Sequence, residues 1–191
     1  HANASFTSTA FIDGTYFTQS EFMNEADFRA VNFNAEANFR HAIFKSSADF
    51  NAITFHAEAD FSHTTFLDYV RFSGNDEKPA FDDKTSLDFQ YARIEKPDRV
   101  SFHRLTLQPY WFVNVNVQKF DFATIDWRIN ISQGIKRLKS KYVPSTYRVL
   151  SVTFRQLALN AEENHRYKEA SLFRFWAMDM QRQEKVRERS F

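Results

Sequence analysis

Six histidines and no cysteine set the first limits on what this 191-residue chain can do. Without cysteine there is no disulfide, no thiolate nucleophile and no thiolate zinc site, and a reducing compartment suits the chain. Three glycines cannot build a glycine-rich phosphate loop. Neither the His-Glu-x-x-His motif of metalloproteases nor the Gly-x-Ser-x-Gly nucleophile elbow occurs. Two pairs remain: His41 with His63, and Glu36 with Glu58, each 22 residues apart. If the chain repeats at that interval, the members of a pair stand one above the other, about 5 Å apart. Zinc takes three or four ligands, and one interval earlier the position holds Gln19. A ladder of surface histidines is therefore expected. Two carboxylates can work as acid and base, but a filled interior offers them no pocket, and Glu36 and Glu58 are read as exposed charges. No catalytic residue, metal site or cofactor is assigned, and the chain reads as non-enzymatic.

A repeat does run through the chain. Phenylalanine falls at Phe6, Phe11, Phe17, Phe22, Phe28, Phe33, Phe39, Phe44, Phe50, Phe55, Phe61, Phe66 and Phe72, in steps that alternate five and six. Two residues before each ring stands a small or β-branched side chain, from Ala4 and Thr9 through Ala48 and Ile53 to Val70. Neither the 3.6-residue period of a helix nor the two-residue period of a half-buried strand fits this rhythm. A five-residue period suits a chain that turns a corner once per repeat and points one large side chain inward each time. The small residue leaves room beside the ring.

The runs Ala26-Asp27-Phe28, Ala37-Asn38-Phe39, Ala48-Asp49-Phe50 and Ala59-Asp60-Phe61 resemble those of pentapeptide-repeat proteins. That resemblance implies a right-handed quadrilateral β-helix, an all-β solenoid with four repeats per coil. Two steps of five and two of six then make a coil of 22 residues. Phe6, Phe28, Phe50 and Phe72 would stack on one side, with Phe17, Phe39 and Phe61 on the opposite one.

After Phe72 the rhythm falters. Residues 73–79 read as a loop thrown out of a corner, and Phe81 and Leu87 as a resumed step of six. A second loop signal follows at Glu95-Lys96-Pro97-Asp98. The rhythm then returns every five residues as Phe102, Leu107, Phe112, Val117, Phe122 and Trp127. Residues 2–128 are thus expected to form one β-helix of about six coils. Residues 129–143, with Lys136, Arg137, Lys139 and Lys141, read as a basic connector. Residues 144–191 read as an α-helical hairpin, with Ser145 as N-cap. Its first buried stripe would be Tyr147, Leu150, Phe154, Leu157 and Ala161, and Asn164 would take a left-handed conformation at the break. On the second helix Tyr167, Ala170, Phe173, Ala177 and Met180 would face inward, widened by Leu172, Phe175 and Trp176. A solenoid end is an open sheet edge that must be covered, and this surplus makes the hairpin the expected cap. The run Tyr167-Lys168-Glu169-Ala170 with Phe173 echoes one tetratricopeptide unit, short of a peptide-binding array.

Charge is uneven along the chain. Residues 1–72 balance at −5, residues 73–128 at −1 and residues 129–191 at +7, for a net +1. No apolar run approaches the roughly 18 residues of a spanning helix, so the chain as given is expected to be soluble. Its start inside a repeat leads to the expectation that His1 is not a natural terminus. The segment from Phe154-Arg155-Gln156-Leu157 through Tyr167-Lys168-Glu169-Ala170 to Met178-Asp179-Met180-Gln181-Arg182 is similar to the tail of a bacterial pentapeptide-repeat subfamily. In that subfamily a Phe-rich solenoid and a helical hairpin precede membrane helices, some of them ion-channel-like. The resemblance implies a non-catalytic scaffold or regulatory domain at the cytoplasmic face of a membrane, whose partner is a protein or the downstream membrane helices. Arg182, Lys185, Arg187 and Arg189 would then form a juxtamembrane basic cluster. A homodimer is a further option. The alternative implied by the wider family is a DNA-mimicking, gyrase-binding rod. A strongly negative surface is needed to stand in for phosphates, which the balance of −5 supplies weakly, and nucleic acid itself is not an expected partner.

Overall fold

The structure, a computed structural model, describes residues 2–75, 80–81 and 85–188. Most of the loop expected at 73–79 lies outside these residues. Up to Trp127 the chain winds into a four-sided parallel β-solenoid of about five turns, one fewer than the coil count read from the sequence. Its longest sheet stacks Ala4–Ser5, Ala26–Asp27, Ala48–Phe50, Val70–Ser73, Val100–His103 and Asp121–Ala123. The opposite side stacks Thr15–Tyr16, Ala37–Asn38, Ala59–Asp60 and Leu87–Asp88. Most strands are two residues long, so each exists only through its neighbours. Phe17 N–H, for example, donates to Asn38 C=O at 2.7 Å, and Phe39 N–H to Asp60 C=O at 2.7 Å.

The rings form four columns inside. Phe6, Phe28, Phe50, Phe72, Phe102 and Phe122 stack on one side, and Phe17, Phe39, Phe61 and Phe89 opposite. Ring centroids within the columns are 4.6–5.6 Å apart, close to the spacing of the strands that carry them. Opposite columns meet edge to face, as in Phe28–Phe39 at 85°, and neighbouring columns do so as well, as in Phe33–Phe39 at 87°. Both arrangements suit the ring quadrupole. Phe22 through Phe72 on the ring row are buried, as are Phe102, Leu107, Phe112, Val117 and Phe122, while Phe6, Phe11, Phe17 and Trp127 are half-buried at the two ends.

The residue pattern has a local cause at each corner. The Asp or Asn before a ring accepts the backbone N–H two residues on: Asp27 from Arg29, Asn38 from Arg40, Asp49 from Asn51, Asp60 from Ser62, at 2.8–3.0 Å. This is the Asx turn. The next residue has positive φ, between 54° and 61° at Gln19, Ala30, His41, Ala52 and His63. A bond from the third residue on back to the ring's carbonyl closes a turn of type II pattern, as from Ser20 to Phe17 at 3.1 Å. No glycine occupies any of these corners.

The register differs from expectation in the fourth coil. Phe81 pairs with Phe55 and keeps the ring row. Leu87 pairs with Ala59, so it fills a small-residue position, and Phe89 supplies the ring below Phe61 at 5.4 Å. The step of six from Phe81 to Leu87 is therefore a step of eight, from ring to ring.

Three helices follow. The stretch read as a connector contains α1 (Ile131–Ser140), whose N-cap Asn130 accepts from Gln133 N–H at 3.0 Å. Gly134 lies flat on Tyr110, where a Cβ would come within 2.9 Å of the ring. The hairpin consists of α2 (Thr146–Glu163) and α3 (Tyr167–Glu188). Ser145 stands at the N-cap position but in a left-handed conformation that leaves its side chain out of the cap. At the break His165, not Asn164, takes the left-handed position, with φ of 58°. Bonds from Arg166 N–H to Ala161 C=O and from His165 N–H to Glu162 C=O complete a Schellman motif. Tyr167 is exposed rather than inward, because its hydroxyl is held by His165 at 2.9 Å. Ala170, Phe173, Ala177 and Met180 of α3 are buried against α2, while Leu172 and Phe175 point to solvent.

The hairpin sits on the last coil. Buried Asn160 donates to the carbonyls of Val117, Gln118 and Phe120, at 3.3, 2.8 and 2.7 Å. Gln118 donates to Glu163, and Phe173 meets Trp127 edge-on at 5.4 Å. The end carbonyls thus find donors in α2 instead of water.

Candidate functional site

The interior is filled with rings, so any chemistry belongs to the outside. One group of charged residues stands out where α1 crosses the third side of the solenoid. Arg137 and Lys141, one turn apart on α1 and its end, reach Glu58 at 2.5 and 3.0 Å. Lys141 also binds Asp88 on the next coil, whose side chain is buried and further accepts Gln90 N–H at 2.9 Å. Burial works against the Glu58 carboxylate, but Lys141 and Arg137 outweigh it and hold its pKa below the usual range. Burial likewise opposes charge on Lys141, and Asp88 and Glu58 more than compensate, raising its pKa. Glu36 is exposed, whereas Glu58 is half-buried and bound. The reading of two free carboxylates is corrected for Glu58, because α1 supplies cations that the connector reading left in solvent.

Beside this clasp runs a ladder of corner residues. His41 and His63 stack at 4.9 Å between ring centroids, and His63 and Tyr91 at 5.0 Å. Gln19, His41, His63 and Tyr91 share the same left-handed corner conformation, which brings successive rings into line. Burial, then the neighbouring charges of His41 and Arg40, keep the His63 pKa below its ordinary value. Together with the Lys141-Tyr142-Val143 link this ladder borders an open cleft of about 290 Å³. Among the described residues no cluster of three or more His, Asp or Glu is placed to hold a metal ion.

The basic cluster lies elsewhere, at the far end of α3. Arg182 is exposed and pairs with Asp179 at 2.5 Å, and Lys185 and Arg187 are exposed. Arg189 lies outside the described residues. The structure does not join this cluster to the ladder cleft. Among the described residues no helix is long and apolar enough to cross a membrane.

Sequence reasoning passed over Asp88 and Asn160, and read Arg137 and Lys141 only as part of a basic connector. A signal for Asp88 was present: Leu87-Asp88-Phe89 repeats the Asp-Phe pair of Ala59-Asp60-Phe61. It was hidden by the larger interval between these runs, 28 residues from Asp60 to its partner Asp88. Ile131, Ile135 and Leu138, spaced four and three apart behind Asn130, likewise mark α1. No family model matches the chain, and no curated protein or solved structure matches it.

Proposed function

We propose that the chain is a pentapeptide-repeat type solenoid acting as a non-catalytic scaffold or regulatory domain at the cytoplasmic face of a bacterial membrane protein. The family reading is supported by the ring columns and the Asx corners of the Ala-Asp-Phe runs. The interaction role is carried by where apolar surface remains. Of the thirteen exposed large hydrophobic residues among the described residues, seven lie on α2 and α3, led by Met178 at 71%, Tyr167 at 63% and Phe175 at 61% exposure. The hairpin satisfies the solenoid with one face and keeps a second face for a protein partner or for downstream membrane helices, with Arg182, Lys185 and Arg187 at its far end. The gyrase-binding alternative has less support, because several of the acidic groups on the rod are already paired. Arg29 holds the Asp27 carboxyl at a pKa of about 2, and Lys96 and Arg99 do the same for Asp68.

The test is made on the native gene product in its own cells. Its full mass is measured, and membranes are washed at alkaline pH. A product larger than this chain that resists the wash supports the proposal. A product of this chain's own mass, released into the supernatant, removes the membrane-linked reading and turns the search to a protein partner of the rod.

A further inference from the structure

We propose that the cleft beside the histidine ladder is an oxyanion site that takes a phosphate-type group between the solenoid and the α1–α2 link. Arg40, Ser62 and Gln90 each follow directly on a ring of the third side, and His41, His63 and Tyr91 come next. The cleft runs along these rungs and is closed on its other flank by Lys141 and Tyr142.

Two of the three acids around it are paired with cations, and Asp60 is held in its Asx turn. Asp60 accepts Ser62 N–H, Asp88 is bound to Lys141, and Glu58 to Arg137 and Lys141. Arg40 differs. Among the described residues its guanidinium has no carboxylate within 4 Å, and its side-chain contact is Nε to His41 Nε2 at 3.4 Å. Ser62 is 6% exposed and lines the cleft, yet its hydroxyl has no hydrogen-bond partner among the described residues. An unpaired guanidinium on one rung, with the hydroxyl of a largely buried serine and an imidazole on the next, about 5 Å along the rod, are donors suited to a tetrahedral anion. Burial does most to lower the His63 pKa, His41 and Arg40 lower it further, and the Asp60 and Asp88 carboxylates act the other way.

This inference stands apart from the membrane reading, since a cytoplasmic module of either kind could carry the site. The experiment is titration of the whole 191-residue chain with inorganic phosphate at low ionic strength, followed by calorimetry and by the His63 imidazole signal in NMR. Saturation is expected to move the His63 titration midpoint upward, because a bound anion favours the imidazolium. Arg40→Gln is expected to weaken binding at least tenfold and Ser62→Ala several-fold, with unchanged melting temperature for the exposed Arg40 variant. Phosphate binding that survives Arg40→Gln, or that leaves His63 unmoved, overturns the site. Glycerol 3-phosphate and phosphatidylglycerol vesicles then separate the sources. Capture of the free ester marks a small-molecule ligand, and capture of vesicles lost in Arg40→Gln marks a lipid headgroup.

Discussion

Phe39 shows what a single residue contributes here. Its ring lies between Phe17 and Phe61 at 4.9 and 4.6 Å and meets Phe28 and Phe50 edge-on. The backbone rungs hold their own spacing, so the neighbours cannot close a hole left in one column. Phe39→Ala is expected to cost about 3–5 kcal/mol in urea unfolding, and a cost below about 1 kcal/mol would rule out the stacked-ring account. The corners behave in the opposite way. Ala30 has φ of 54° and is exposed, with no glycine to relieve the conformation. Left-handed backbone is unfavourable for a residue with a Cβ, and the relief outweighs the extra freedom glycine gains in the unfolded chain. Ala30→Gly should therefore stabilise by about 1 kcal/mol, seen as a higher denaturation midpoint with unchanged slope. At this scale the rings and the small residues were legible, whereas the Asx bond that turns each corner was not read from the Asp or Asn before the ring. Leu87 was misread because a large side chain fills a small-residue position there, and size alone then assigns it to the wrong row.

Among the elements, α1 depends most on charge. Lys141→Ala leaves the buried Asp88 carboxylate without its cation and should cost about 2–3 kcal/mol, measured at pH 7. Asp88→Asn in the same protein should recover part of that loss. The pH dependence follows from the directions of the shifts. The Glu58 pKa is lowered in the fold from an ordinary 4.5, so its contribution is present above that pH and fades as pH falls through the folded value. The Lys141 pKa is raised from 10.5, so its contribution is present below that pH and fades as pH rises through the folded value. The stability gap between parent and Lys141→Ala should therefore be widest near neutrality and shrink below about pH 4.5. A gap that stays constant from pH 7 to pH 3 would contradict the clasp. The helices were legible in part. The hairpin's buried stripe of Leu150, Phe154, Leu157 and Ala161 could be read from its spacing, because packing on a single face imposes helical periodicity. The turn between the helices was misassigned by one residue, since Asn is the commoner left-handed residue, whereas here His165 takes that place with its ring bonded to the Tyr167 hydroxyl. The pairing of α1 with Glu58 and Asp88 joins residues 79 and 53 apart, and local patterning carries no trace of contacts at that distance.

The whole molecule is a one-dimensional stack, in which each coil contacts chiefly the coils above and below. Its two ends are unequal: the last coil has Asn160 and Phe173 against it, while Phe6, Phe11 and Phe17 in the first coil are half-buried. Opening should begin where a coil has one neighbour only. In a protein of these 191 residues, amide hydrogen exchange is therefore expected to be fastest in residues 4–22 and slowest around Phe50 and Phe61, and equal protection along the rod would contradict a stack held by nearest-neighbour contacts. The cleft and the clasp were the least legible part, because they form only where separate coils and a helix meet. The 22-residue coil has one more consequence, which concerns direction. Removing residues 26–47 would bring Ala48 onto Ala4 in the register that Ala26 now holds. The rod would shorten by one rung with every later side unchanged. Removing one repeat of five or six residues would instead rotate everything downstream by a quarter turn about the rod's axis and swing the hairpin to a different compass point. Length changes that preserve function should come in whole coils, and the heading of the hairpin is set by counting residues modulo one turn.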